Sequence, residues 1–433
     1  MAISDTAPIL LKRGLVVDPI AGTETRSDVR IEGGLIAAIG PSLPVEGATT
    51  IDCRDLVIAP GLVDMRAVIG EPGAEHRETL ATASRAAAAG GVTTVVCMPS
   101  TSPPIDDPTI VDYILRRARD TATVHIGVMA ALTKGLAGEE MSEIGLLGEA
   151  GALAFTDGSK SVMNARVMRQ LLTYARDFDA LIVHHAEDRN LMAGGVMNEG
   201  EYAARLGLPG NPSAAEAVML ERDIRLVRLT GARYHAAAVT CAASIEIIRR
   251  AKDEGLPVTA STSVNHLTLN DRDVGAFKTF CKVSPPLRGE EDRMALIAAL
   301  SEGVIDTIVS DHDPQDVETK RLPFAECADG AIGLETMLAA SLRLVHSGDV
   351  ALPVLLRALS SRPAALLGLE TGRMQVGAPA DLVVFDMDAP FVLDPAQLHS
   401  RCKNTPFDGA RLQGEVRWTL VNGRIAHRAP AVS

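Results

Sequence analysis

The sequence is poor in cysteine and aromatic residues, and it has no long apolar run. Its six cysteines are widely spaced and include no Cys-x-x-Cys pair, which argues against a disulfide framework and against cysteine-based zinc motifs. No apolar stretch approaches the ~20 residues that span a bilayer, and the first 30 residues lack the layout of a signal peptide. We therefore expect a cytoplasmic protein with reduced thiols.

An excess of basic residues is also missing. The chain has 55 acidic and 42 basic residues, for a net charge of -13. This balance works against a nucleic-acid groove and against binding to an anionic membrane, because both need a basic stripe. What the sequence does contain is a globular share of hydrophobic residues, 47%, and ten histidines. The histidines are numerous enough for a metal site, so their positions decide whether one exists.

The 433 residues are organised in three stretches. Residues 1–60 and 370–433 contain short apolar runs separated by Gly, Pro and Asp, which is typical of β-strands. Residues 61–369 alternate strand-like and helix-like segments about eight times, as in a TIM barrel. The sequence thus predicts an α/β protein with a (β/α)8 barrel over 61–369. A small β domain, composed of both ends of the chain, would lie beside it.

Several motifs coincide with one family. They are residues 59–64 (APGLVD), 71–79 (EPGAEHRET), 86–99 (AAAAGGVTTVVCMP), 377–382 (GAPADL) and 403–407 (KNTPF). With these motifs the sequence resembles type I dihydroorotases of the amidohydrolase superfamily, from about residue 10 to about residue 425. The resemblance implies a TIM barrel with a β-sandwich domain. It also implies a role in pyrimidine biosynthesis, where carbamoyl aspartate and dihydroorotate interconvert at a metal centre.

The positions that hold the metal in this family are mostly altered. Two keep the family's residue, namely the ligand His185 and the catalytic Asp311; four have lost it, namely Arg66, Val68, Gly158 and Ala238. A guanidinium has no acceptor and a valine has no donor atom, so neither can ligate a metal. A catalytic zinc usually takes three protein ligands. We therefore expect no metal cofactor and regard Asp311 as a vestigial catalytic position.

The substrate-binding positions implied by the resemblance are altered as well. The family places an arginine before Glu-Pro-Gly, because its planar fork matches a carboxylate; here that residue is Gly70. The other degenerate positions are Ser100, Ser284 and Gln315, where the family has asparagine, asparagine and histidine. The metal centre and the substrate clamp are thus lost together.

A rebuilt zinc site is the alternative. Its ligands would be His185, Asp311, Asp313 and Asp157, with Asp313 sharing a face with Asp311 if the strand persists that far. The neighbouring histidines His184, His235 and His312 lie an odd number of residues from the ligand positions. On a strand such residues point to the opposite face, so they cannot simply substitute.

Asp311 needs a counter-charge if it lies in an apolar barrel. Arg66 on the first barrel strand can supply it, which predicts an Arg66–Asp311 ion pair where the metal would otherwise sit. The chain is most similar to the inactive dihydroorotase-like paralogues that some bacteria keep as partners of aspartate carbamoyltransferase. We therefore expect a catalytically inactive structural subunit of a hetero-oligomer. The alternatives are an active dihydroorotase with a rebuilt site, and a barrel mouth that binds a small regulatory ligand.

Overall fold

The computed structural model describes residues 7–430. The strands are β1 (Ile9–Asp18), β2 (Thr23–Glu32), β3 (Leu35–Gly40), β4 (Thr49–Asp52), β5 (Val57–Pro60), β6 (Leu62–Ala67), β7 (Val92–Cys97), β8 (His125–Ala130), β9 (Ala154–Phe155), β10 (Ile182–His185), β11 (Met197–Asn198), β12 (Gly210–Asn211), β13 (Tyr234–Ala237), β14 (Val258–Ser263), β15 (Thr307–Val309), β16 (Leu382–Val392), β17 (Arg411–Val421) and β18 (Arg424–Arg428).

The helices follow most barrel strands. They are α1 (Leu80–Ala89), α2 (Pro108–Thr121), α3 (Ile144–Glu149), α4 (Ala165–Arg176), α5 (Glu201–Leu206), α6 (Ala214–Thr230), α7 (Ala242–Asp253), α8 (Val264–Thr268), α9 (Glu290–Ser301), α10 (Val317–Lys320), α11 (Met337–His346), α12 (Leu352–Leu356) and α13 (Arg362–Leu366). A π-helical turn, Arg357–Ser361, joins α12 to α13. Over residues 7–430, every helix is too short or too polar to cross a membrane.

The β domain combines both ends of the chain in one sheet. Its strand order is β18-β17-β16-β5-β1-β2-β3, with β4 paired to β1. The junction is the antiparallel pairing of β5 with β16, in which Pro60 lies opposite Leu382. Alternate residues of these strands, such as Ile58 and Leu382, are fully buried in a shared apolar core. Residues close to each terminus thus complete each other's sheet beside the barrel.

The barrel is an eight-stranded parallel sheet in the order β15-β14-β13-β10-β9-β8-β7-β6. Its two outer strands meet just beyond their ends, where the Val68 N–H donates to the His312 carbonyl at 2.7 Å and Ala67 bridges His312. Apolar side chains, among them Met65 and Val309, fill the interior below the mouth. The predicted fold class is confirmed, because the strand–helix alternation closes into a barrel with a β domain beside it.

The first barrel helix begins after the N-cap residue Thr79, whose hydroxyl accepts from the Thr82 N–H. One condition of the rebuilt-site hypothesis is not met. The strand that was to bring Asp311 and Asp313 to one face ends earlier, at Val309. Asp311 then adopts φ +52°, in the left-handed region, so the two-residue alternation of a strand does not extend through it.

Candidate functional site

A small cavity opens at the mouth of the barrel, beyond the carboxyl ends of the strands. Its volume is about 140 Å³, and its polar lining includes Arg66, Ser100, Ser284, Asp311, Asp313 and Asp329. Active sites of TIM barrels lie at this end, because the loops after the strands converge there. The cavity is therefore the candidate functional site.

Arg66 and Asp311 form an ion pair in this cavity. The Arg66 Nε–H donates to Asp311 Oδ1 at 2.8 Å, and the side chains are only 8% and 12% exposed. The ion pair predicted from the sequence is thus present. The Arg66 guanidinium neutralises the Asp311 carboxylate. Without this partner, the buried carboxylate would destabilise the fold by several kcal/mol.

Asp64 positions both partners of this ion pair, a role that the sequence motif alone did not reveal. Its carboxylate accepts from the backbone N–H groups of Arg66 and Ser310, at 3.2 and 3.1 Å, and from the Ser310 hydroxyl. It thereby ties β6 to the residue that precedes Asp311. Burial raises the pKa of Asp64 to about 6. Asp64 belongs to the motif at residues 59–64 (APGLVD), but its partner Ser310 lies about 250 residues away in the chain, so the motif alone does not predict this contact.

His185 is held by a carboxylate. Its Nε2 lies 3.2 Å from Glu187 Oε2, and its carbonyl accepts from the Ser161 hydroxyl at 2.8 Å. Glu187 also accepts from the Asn211 amide at 2.8 Å, and the His185 and Asn211 contacts lower the Glu187 pKa against the opposing effect of burial. The retained histidine thus belongs to a buried hydrogen-bonded cluster, in which one ring nitrogen already has a partner.

The other two carboxylates of the rebuilt-site hypothesis have partners of their own. Asp157 accepts from the Thr133 N–H and hydroxyl at 2.9 and 2.5 Å. Asp313 lies at the cavity despite the early end of β15, and it accepts from the Gln315 amide at 2.9 Å. Burial, together with the negative charge of Asp311, raises the Asp313 pKa to about 6. Gln315 therefore binds a neighbouring carboxylate and does not face an open substrate position.

Two of the neighbouring histidines have partners away from the ligand positions. His184 donates from Nδ1 to Asp223 Oδ2 at 2.7 Å, and its Nε2 accepts from the Val162 N–H at 2.9 Å. His312 accepts at Nδ1 from the Gly333 N–H at 3.2 Å. Both side chains are buried, and His312 also lines the mouth cavity.

His235 lies deep among the barrel strands, with Nδ1 2.8 Å from the Thr259 hydroxyl. Its side chain is fully buried, and burial lowers its pKa to about 4 from an ordinary value of 6.5. The expected alternation between His235 and Ala238 does not apply, because Ala238 has φ +52° just after the end of β13. The rule that residues an odd number apart face opposite sides of a strand therefore does not decide where His235 and Ala238 point.

We expect His235 to make the fold acid-sensitive. The unfolded chain binds a proton at this histidine below about pH 6.5, whereas the folded chain resists until about pH 4. Stability contributed by the neutral ring is present above pH 6.5 and is lost as the pH falls, by about 3 kcal/mol in total. His235→Gln removes this term. Urea unfolding across this range should show the wild type losing more stability than the variant; parallel curves would contradict the prediction.

Two buried lysines fix the loop that carries Asp329. Lys320 Nζ donates to the carbonyls of Thr279, Lys282 and Ala328 at 2.7–3.2 Å, and burial lowers its pKa to about 8. Lys282 Nζ donates to the Cys327 carbonyl at 2.7 Å and lies 3.9 Å from Asp329 Oδ1. These contacts were missed in the sequence, where neither lysine belongs to a motif.

Comparisons with known proteins match the fold and the motifs. Residues 55–244 match the family model described as Dihydro-orotase-like, and residues 298–427 match the model of the Amidohydrolase family. A dihydroorotase from Syntrophus aciditrophicus is 44% identical, over 97% of this chain and 99% of that one. A dihydroorotase from Anaplasma phagocytophilum is 40% identical, over 96% and 94%. This chain belongs to the dihydroorotase family.

Solved structures of a hydantoinase and a dihydropyrimidinase have the same architecture. The L-hydantoinase (dihydropyrimidinase) of Arthrobacter aurescens superposes with a TM-score of 0.89 at 27% identity, over 99% of this chain and 98% of that one. The dihydropyrimidinase of Brevibacillus agri has a TM-score of 0.84 at 23% identity, over 97% and 95%, and supports the fold alone. This dihydroorotase-family chain therefore keeps the whole scaffold of the superfamily.

The zinc that the dihydroorotase family uses does not fit the residues present. Across the part of the chain that the structure describes, no three His, Cys, Asp or Glu side chains are grouped so that they could hold a metal ion. The four ligands of the rebuilt-site hypothesis form no such group among these residues, and His185 Nε2 and the Asp157 carboxylate are hydrogen-bonded to Glu187 and Thr133 instead. Arg66 brings a positive charge to the place where a cation would have to bind.

The backbone at two of the altered positions also disfavours the family's residues. Gly158 has φ +71°, and a Cβ there would lie 2.6 Å from the Ser100 hydroxyl. At Gly70 a Cβ would lie 2.2 Å from the Ala74 carbonyl oxygen. A side chain at either position therefore requires neighbouring atoms to move. At Gly158 these belong to a side chain, whereas at Gly70 they belong to the backbone, which moves less easily.

Proposed function

We propose that this dihydroorotase-family protein is catalytically inactive and serves as a structural subunit of a complex with aspartate carbamoyltransferase. The observation that carries the proposal is the Arg66–Asp311 ion pair. It joins a former ligand position to the catalytic position with a guanidinium, which accepts no proton and ligates no metal. The chemistry of the family needs a metal to activate water and polarise the amide.

The charge of the cavity supports inactivity towards the family's substrate. Three carboxylates line it, from Asp311, Asp313 and Asp329, and the guanidinium of Arg66 is already paired. Carbamoyl aspartate carries two carboxylates, so binding would bring like charges together in a small, poorly solvated space. The clamp arginine that would offset this repulsion is replaced by Gly70.

The partner in this proposal follows from the resemblance to inactive dihydroorotase-like paralogues. A barrel that has lost its chemistry still presents a rigid surface, so selection for an interface can preserve the fold. A family label alone does not establish activity, because function resides in the site and not in the fold. The second candidate is an active dihydroorotase, and the name shared by relatives at 40–44% identity favours it.

We expect purified protein to contain well below one zinc per chain and to show no turnover of dihydroorotate or carbamoyl aspartate. The assay should be run alone and with the aspartate carbamoyltransferase of the same organism. Elemental analysis measures the metal, and size-exclusion chromatography with light scattering measures the complex. An active dihydroorotase from a relative, purified identically, controls for metal loss. Stoichiometric zinc with turnover would establish the second candidate instead.

A further inference from the structure

A second groove, which shares no lining residue with the mouth cavity, lies between helix α11 and the paired strands β16 and β17. Its volume is about 640 Å³. Phe391 and Leu412 contribute apolar surface to it, and the neighbouring Val392 is 61% exposed. An exposed β-branched side chain beside an open groove leaves apolar area in contact with water, and burying it on association is favourable.

The charged residues of this groove are basic. Arg343, Arg411 and His346 line it, and its lining contains no Asp or Glu. The Arg343 Nη2–H donates to the Arg411 carbonyl at 3.4 Å, and its guanidinium carbon lies 5.7 Å from the centre of the Phe407 ring. The His346 Nε2–H donates to the Met387 carbonyl at 3.1 Å, and Nε2 lies 3.8 Å from Asp388 Oδ1.

Arg343 and Arg411 lack a carboxylate partner among the described residues. Among residues 7–430 neither has a carboxylate oxygen within 4.0 Å, whereas many arginines of this acidic chain do, for example Arg228 with Glu254 and Arg362 with Asp306. Arginines that flank apolar surface are enriched at the centres of protein interfaces. The groove therefore offers two guanidiniums to an incoming anion beside an apolar floor.

We propose that this groove docks a segment of a partner protein that carries carboxylates next to apolar side chains. The inference rests on the proposed function, and the partner tested is the aspartate carbamoyltransferase named there. A nucleic acid fits less well, because two arginines beside an apolar floor do not make the long basic stripe that a phosphate backbone needs. The chain's net charge of -13 opposes it further.

The test measures binding of the transferase to the full-length protein by isothermal titration calorimetry. Arg411→Glu reverses the charge of an exposed strand residue that lines the groove. We expect it to weaken binding about tenfold or more, and wild-type binding to weaken with added salt. Val392→Asp should weaken binding as well. The matched control is Arg424→Glu, an exposed strand arginine of the same sheet outside the groove, which should change Kd by less than about twofold.

The outcomes separate the two proposals. If the wild type binds and Arg411→Glu and Val392→Asp bind equally well, the groove assignment is overturned while the proposed function stands. Equal weakening by Arg411→Glu and Arg424→Glu also overturns it, since general surface charge then explains the effect. If the wild type forms no complex, both proposals fail. Circular dichroism of each variant confirms that a loss of binding is not a loss of fold.

Discussion

Arg66→Met is expected to lower the free energy of unfolding by about 3–5 kcal/mol, because it leaves the Asp311 carboxylate without its partner in a poorly solvated cavity. The cost lies mainly in the uncompensated charge and not in the lost attraction. Urea unfolding at neutral pH measures the loss.

The double variant Arg66→Met, Asp311→Asn is the decisive companion, because asparagine tolerates the left-handed backbone at position 311. Removing both charges should restore most of the stability, because no unpaired charge is then left in the cavity. The exposed Arg116–Asp112 pair on α2 is the control; Arg116→Met should cost less than about 1 kcal/mol. If the double variant is as unstable as Arg66→Met, Arg66 acts through other contacts.

The barrel and the ion pair could be predicted because each depends on a regular pattern. Strand-like and helix-like segments alternate about eight times from residue 61 to 369, and this alternation is typical of a (β/α)8 barrel. Arg66 and Asp311 occupy positions that converge on one centre in the family. Their opposite charges then predict the ion pair, although 245 residues separate them in the chain.

The rest of the site depends on irregular backbone that residue patterns describe poorly. Asp311 and Ala238 both lie just beyond a strand and have positive φ, so the two-residue alternation fails where the functional residues begin. Asp329 reaches the cavity on a loop fixed by Lys282 and Lys320, which donate to carbonyls that any sequence would provide. The role of Asp64 likewise appears only when Ser310 is placed beside it.

Gly70 lies in a turn that leaves no room for a side chain, and it makes the second strong prediction. The Ala74 N–H donates to the Gly70 carbonyl at 2.5 Å, closing a tight turn at the mouth. A Cβ at Gly70 would meet the Ala74 carbonyl oxygen at 2.2 Å and the Glu78 carbonyl oxygen at 3.0 Å. We expect Gly70→Ala to cost about 3 kcal/mol, since backbone atoms must move to admit the methyl group. Gly70→Arg should cost at least as much.

Gly289→Ala is the matched control, because a Cβ there meets nothing within 4 Å and the residue precedes a helix with ordinary φ. Gly289 is the N-cap residue of α9, where alanine is less favourable than glycine, so the variant should lower the free energy of unfolding by no more than about 1 kcal/mol. Urea unfolding compares the three variants, and equilibrium dialysis with carbamoyl aspartate tests whether Gly70→Arg gains binding. A stable Gly70→Arg variant that binds the dianion would contradict the prediction. If Gly70→Arg is destabilised and does not bind carbamoyl aspartate, restoring the arginine alone is not enough, because the turn at Gly70 has no room for its side chain.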